Sequence, residues 1–142
     1  MENRLTAKEL EVLLVVKEFS DYMREHPLED GYMDIGEMID NNNFFEYDDL
    51  SDAYDTFSDL GYTDDDGLIT EKGNEYIAWV IDQLKHKHLI FSKETLIKLR
   101  DNLVRILNSK GFKAVAGLTA FAANAPRAIS TIIDLISCNF GK

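Results

Sequence analysis

Apolar residues recur at helical spacing along most of the chain. Four segments show this pattern most clearly: residues 6–26, 48–60, 70–87 and 92–108. Their ends carry residues that typically begin or end helices. Thr6, Thr70 and Ser92 offer hydroxyl groups at helix N-termini, and Gly61 suits the left-handed position that follows a helix. The pattern therefore predicts a mainly α-helical protein.

The segment 48–60 has two opposite faces. Its apolar residues are spaced to form one side of a helix, and its aspartates recur at i, i+4, i+7 and i+11 on the other. The apolar positions are Leu50, Ala53, Tyr54, Phe57 and Leu60; the aspartates are Asp48, Asp52, Asp55 and Asp59, with Asp49 beside them. We expect a helix that buries the first set and exposes the second.

Residues 61–70 contain an Asp-Gly turn between two short apolar stretches, which predicts a small β-hairpin. Three helices, a hairpin and a further helix follow the order of a winged helix-turn-helix. The segments 60–62 and 67–73 resemble those of small bacterial and phage winged-helix proteins, and the resemblance covers residues 5–87. It implies an acidic winged helix-turn-helix domain with a β-hairpin wing over residues 1–87, followed by a helical C-terminal tail over residues 88–142. It also implies an origin in a phage, plasmid or defence locus.

Charge is divided unevenly along the chain. Residues 1–70 contain 20 acidic and 4 basic side chains, whereas residues 71–142 contain 6 and 11. No Lys or Arg occurs in the 46 residues between Glu25 and Lys72. In winged-helix proteins that bind DNA, the helix corresponding to 48–60 enters the major groove, and affinity comes mainly from cations that neutralise phosphates. We therefore expect helix 48–60 to repel DNA.

Two interpretations of this acidic helix remain open. The carboxylates either form a solvated face that keeps the protein in solution, or they dock the basic surface of a protein partner. The candidate partner-binding residues are Asp48, Asp49, Asp52, Asp55 and Asp59.

The stretch 85–113 is basic, with 8 cations and 2 acids. It packs on the acidic domain of its own chain or of a second copy, contacts nucleic acid, or lies on anionic lipid as a basic amphipathic helix. The candidates for nucleic-acid or lipid contact are Lys93, Lys98, Arg100 and Arg105.

The end of the chain is apolar. Residues 112–124 are rich in small side chains, and Pro126 suits the first position of another helix. This second helix carries Ile129, Ile132, Ile133 and Ile136 at helical spacing. We expect a helical hairpin that packs on the basic helix or on a second subunit. Insertion into lipid is the alternative, although neither helix is long enough to span a bilayer alone.

No motif in the sequence points to catalysis. Phosphate-binding glycine loops, paired metal-ligand motifs and nucleophile elbows are absent. Asp64, Asp66 and Gly67 match part of a calcium-binding loop, but Tyr62 and Gly73 occupy its two essential carboxylate positions. We therefore expect no catalytic residue, metal or cofactor.

The compartment and the role follow from the same features. A single cysteine and an N-terminus without a secretory signal predict a cytoplasmic protein. The predicted function is a non-enzymatic regulatory or adaptor protein whose acidic helix 48–60 docks a basic partner. The alternatives are a transcription regulator that contacts DNA through residues 85–113, and a membrane-active effector whose C-terminal hairpin inserts in lipid.

Overall fold

The computed structural model describes residues 5–25, 39–40, 44–109, 112 and 128–141. Of these residues, 76% are helical, so the chain is mainly α-helical as its periodicity predicts. Five helices have defined bounds: α1 (Ala7–Glu25), α2 (Tyr47–Leu60), α3 (Glu71–Lys85), α4 (Lys93–Leu107) and α5 (Ala128–Phe140).

The helix ends follow the capping chemistry of the sequence. The Thr6 hydroxyl accepts a hydrogen bond from the Glu9 backbone N–H at 3.1 Å, and the Glu9 carboxylate accepts one from the Thr6 N–H at 2.8 Å. Thr70 and Ser92 cap α3 and α4 through their hydroxyls in the same way. Gly61 ends α2 with a φ of 76°, a left-handed conformation in which glycine avoids the strain of a side chain.

The predicted β-hairpin wing is wrong. Among the described residues there is no strand, and the segment between α2 and α3 contains only an isolated antiparallel bridge between Thr63 and Ile69. Helix α2 ends at residue 60 and helix α3 begins at residue 71, so the ten residues between them are too few for a β-ladder. The two hydrogen bonds of the bridge run from the Asp64 N–H to the Leu68 carbonyl and from the Thr70 N–H to the Tyr62 carbonyl. On its outer side, the Ile69 N–H donates to the Ser20 hydroxyl and the Ile69 carbonyl accepts from the Arg24 guanidinium.

Helix α1 lies at the centre of the fold. It contacts each of the other four helices, and α5 packs mainly against α4 and α3. Residues from Leu10 to Val16 are all buried, so this part of α1 is enclosed on every side. Helices on both sides of the predicted boundary at residue 87 contribute to a single buried cluster.

Several expectations fall outside the described residues. These are the small-residue segment 112–124, except for Phe112, and Pro126. Of the neighbouring residues that are described, Ile39 and Phe112 are both buried in the core.

Candidate functional site

The five aspartates predicted on helix 48–60 are all exposed on α2. Opposite them, α2 buries Leu50, Ala53 and Phe57, and these anchors fix how the helix is rotated about its axis. At 100° per residue, Asp48, Asp52, Asp55 and Asp59 fall within roughly 60° of the helix surface, and Asp49 lies on the flank. We call the first four residues the acidic stripe.

No described cation compensates the charge of the acidic stripe. No ion pair joins its carboxylates to any cation in the part of the chain that the structure describes. Lys72 lies beside Gly61 at the C-terminal end of α2, where a cation interacts favourably with the helix dipole.

A cavity of about 420 Å³ lies beside the stripe, between α2 and the turn at residues 63–67. The Tyr54 hydroxyl donates a hydrogen bond of 3.4 Å to the Gly67 carbonyl and so links the two walls. In the turn, Asp64 Oδ1 accepts hydrogen bonds from the backbone N–H groups of Asp66 and Leu68, which fixes this carboxylate. The residues lining this acidic cavity are Asp40, Tyr47, Leu50, Ser51, Tyr54, Asp55, Ser58, Thr63, Asp64, Asp65 and Gly67.

A second cavity, of about 650 Å³, lies over the N-terminal end of α2. It shares Asp40 and Tyr47 with the acidic cavity, so the two cavities are neighbours, and we call them together the groove. We call it the mixed-charge cavity, because two cations and three acids line it together with aromatic rings. Its lining residues are Lys8, Asp40, Phe44, Phe45, Glu46, Tyr47, Asp49 and Arg105.

The four candidate cations of the basic helix do not form one patch. Lys98 and Arg105 are seven residues apart on one flank of α4, and Lys93 and Arg100 are seven residues apart on the other. Between the flanks, the outer face carries acidic residues, and Arg100 forms an ion pair of 3.1 Å with Asp101. Lys93, Lys98 and Arg105 are exposed, but they point in different directions around the helix.

The isoleucines predicted to pack or oligomerise lie on the inner face of α5. Ile129, Ile132 and Ile136 are fully buried, and Ile133 is partly buried against the same core. Since α5 packs mainly on α4 and α3, these side chains cover the interior of their own chain.

Three residues near these surfaces are not identified by sequence reasoning. Tyr47 is 68% exposed, and its position off the apolar face of α2 is a signal that could have revealed it. Thr63 is only 7% exposed, yet its hydroxyl makes no hydrogen bond with any described residue. Glu11 is 2% exposed within α1, and its oxygens contact Asn102 Nδ2 at 2.7 Å and Lys8 Nζ at 3.2 Å.

In the described part of the chain, no group of three or more His, Cys, Asp or Glu residues is placed to hold a metal ion. None of the described helices combines the length and apolar character needed to cross a membrane. Burial raises the pKa of the Tyr62 hydroxyl above its ordinary value of 10.0, which keeps this side chain neutral beneath α3.

No protein-family model, curated protein or solved structure matches the chain. The resemblance to winged-helix proteins therefore stays a prediction. The candidate site rests on the geometry of the acidic stripe and the adjoining groove alone.

Proposed function

We propose that this protein is a non-enzymatic regulatory or adaptor protein of the cytoplasm that binds a protein partner through α2. Its acidic stripe docks a basic surface on that partner. The observation that supports this proposal is the alignment of four exposed aspartates without a described counter-cation.

The charge of the whole chain favours a basic partner. The net charge is −11, so two copies repel each other, as do this protein and a nucleic acid. A partner of opposite charge is instead attracted once its charges come within about 8 Å, the screening length at physiological salt, and this attraction raises the association rate.

The spacing of the carboxylates indicates the kind of basic surface involved. Side chains three or four residues apart on a helix are about 5–6 Å apart, which is close to the phosphate spacing along a nucleic-acid strand. The stripe would therefore fit a surface that otherwise binds nucleic acid, and it would compete with nucleic acid for that surface.

The direct test reverses charge in the middle of the stripe. The full chain and its Asp52→Lys/Asp55→Lys variant are used as baits in an extract of the native host, and captured proteins are identified by mass spectrometry. Each captured protein is then purified, and its affinity for both baits is measured by calorimetry. We expect the variant to bind at least about tenfold more weakly, because each reversed site turns an attraction into a repulsion.

A matched control separates the stripe from net charge. Glu75→Lys/Asp134→Lys changes the total charge by the same amount at two exposed helical positions outside the stripe and the groove. It should retain most of the affinity, and circular dichroism should show both variants folded. Equal affinity of the stripe variant and the wild type would refute the proposal.

A DNA-binding measurement tests the alternative function, a transcription regulator that contacts DNA through residues 85–113. Salt-sensitive binding of the wild type to a random DNA duplex, lost on joint reversal of Lys93, Lys98, Arg100 and Arg105, would assign function to the basic segment. We expect no such binding, because these cations lie on opposite flanks of α4.

A further inference from the structure

We infer that the groove beside the acidic stripe binds an extended segment of the partner protein and holds one of its arginine side chains in the acidic cavity. This inference rests on the proposed function, and it adds the mode of recognition and the anchoring residue. Its argument depends on residues of the groove, of which Asp55 also belongs to the stripe.

The negative charge of the acidic cavity favours binding of a cation. Its described lining residues include no cation and four carboxylates: Asp40, Asp55, Asp64 and Asp65. Its volume of about 420 Å³ lies within the 300–1,000 Å³ that is typical of pockets for organic ligands. A single metal ion needs far less space. The geometry therefore favours an organic cation.

The uncharged groups of the cavity favour arginine. A guanidinium presents five N–H donors in a fixed plane, so it can satisfy several oxygens at once. Thr63 supplies such an oxygen: it lines the cavity, is nearly fully buried, and has no hydrogen bond from its hydroxyl to any described residue. The exposed ring of Tyr47 offers a surface on which a guanidinium stacks.

The shape of the groove favours a peptide over a free small cation. Asp40 and Tyr47 line both the acidic cavity and the neighbouring mixed-charge cavity, and the lining of the latter includes Phe44 and Phe45. A bound residue whose side chain enters the acidic cavity therefore has neighbours that pass over Tyr47 and reach the mixed-charge cavity. Extended chains advance by about 3.3 Å per residue, so a few residues suffice to follow such a path.

The inference is tested with a library of random heptapeptides displayed on phage and selected on the full chain. Selected sequences are synthesised with a fluorescent label, and their affinities are measured by anisotropy. We expect selection of peptides that contain arginine next to an apolar residue. Replacing that arginine with citrulline, which has nearly the same shape but no charge, should weaken binding at least about tenfold.

Two variants of equal charge separate the groove from the stripe. Asp64→Asn/Asp65→Asn removes two charges from the acidic cavity, and the amide oxygen introduced by Asp64→Asn can still accept the hydrogen bonds of the turn. Asp48→Asn/Asp59→Asn removes two charges from stripe residues that line neither cavity. We expect the groove variant, and also Tyr47→Ala, to weaken peptide binding about tenfold, and the stripe variant less than about threefold.

The results of these measurements distinguish the groove inference from the proposed function. Failure to select any peptide, selection without basic residues, or equal losses for the two paired variants would overturn the groove inference. If the partner protein loses affinity only for the stripe variant, the proposed function holds and the groove inference fails. If neither paired variant affects the partner, both fail. If arginine amide alone displaces the peptide at a similar concentration, a free cation is sufficient for binding. This result would overturn the inference that the groove binds a peptide segment.

Discussion

The acidic helix α2 and the basic helix α4 use charge in different ways. On α2, four aspartates align on one exposed face and no described cation pairs with them. On α4, the cations are divided between two flanks, and Arg100 is paired with Asp101. Total charge therefore does not identify a binding surface. The angular position of each charge around its helix axis does, together with its pairing.

The difference extends to how each helix is held in place. Helix α4 is packed between α1 and α5, and its Asn102 donates a hydrogen bond to the buried Glu11 of α1. Among the described helices, α2 contacts α1, and its side beside the groove faces none of the others. We interpret α4 as a structural element and α2 as the element that presents a surface.

The largest expected effect concerns the support of the basic helix. Ile132→Ala removes a fully buried side chain of α5 that packs in the core shared with α4. It should lower the free energy of unfolding by about 2–5 kcal/mol, measured by urea denaturation of the full chain. Ile133→Ala, at a partly buried position of the same helix, should cost less. Equal small losses would show that α5 does not support α4, and the comparison of the two helices would fail.

A smaller effect concerns the buried link between α1 and α4. Glu11→Ala leaves the Asn102 amide without its acceptor, so we expect a loss of about 1–3 kcal/mol in unfolding free energy. Glu11→Gln is the control, since its side-chain oxygen still accepts from Asn102. It loses only the ion pair with half-exposed Lys8, so its loss of stability should be smaller than that of the Ala variant. A Gln variant as unstable as the Ala variant would assign the effect to charge instead of the hydrogen bond.

Local features of this fold were predictable because they depend on neighbours in sequence. The Thr6–Glu9 capping box, the Ser92 cap and the Gly61 termination are confirmed. The second helix, predicted over 48–60, runs from Tyr47 to Leu60, and its buried face is the one the spacing indicates. In each case, residues within four positions of one another determine the result.

Features that depend on distant partners were not predictable. The predicted wing is limited to one bridge because helices occupy the chain up to residue 60 and from residue 71. Ser20 and Arg24, more than 40 residues away, anchor this segment through the outward-facing backbone groups of Ile69. The burial of Glu11 depends on Asn102, 91 residues along the chain. Likewise, the acidic aspartates of α2 were identified from periodicity, whereas the groove beside them requires the turn at residues 63–67 to fold against the helix.

The smallest expected effect tests whether the acidic stripe costs stability. Asp55 lies three or four residues from both Asp52 and Asp59, and like charges at this spacing destabilise a helix by about 0.2–0.5 kcal/mol per pair. Asp55→Asn should therefore raise the unfolding free energy by about 0.5 kcal/mol in low salt. In 1 M salt most of this gain should disappear, because the screening length falls to about 3 Å and the repulsion between the carboxylates is weakened.

Asp48→Asn is the matched control. Asp48 lies in the first turn of α2, where its charge is favourable to the helix dipole, so its neutralisation should give no gain. A loss of stability in Asp55→Asn would show that this carboxylate has a stabilising partner, whereas a salt-sensitive gain supports a surface kept acidic for binding at the expense of folding.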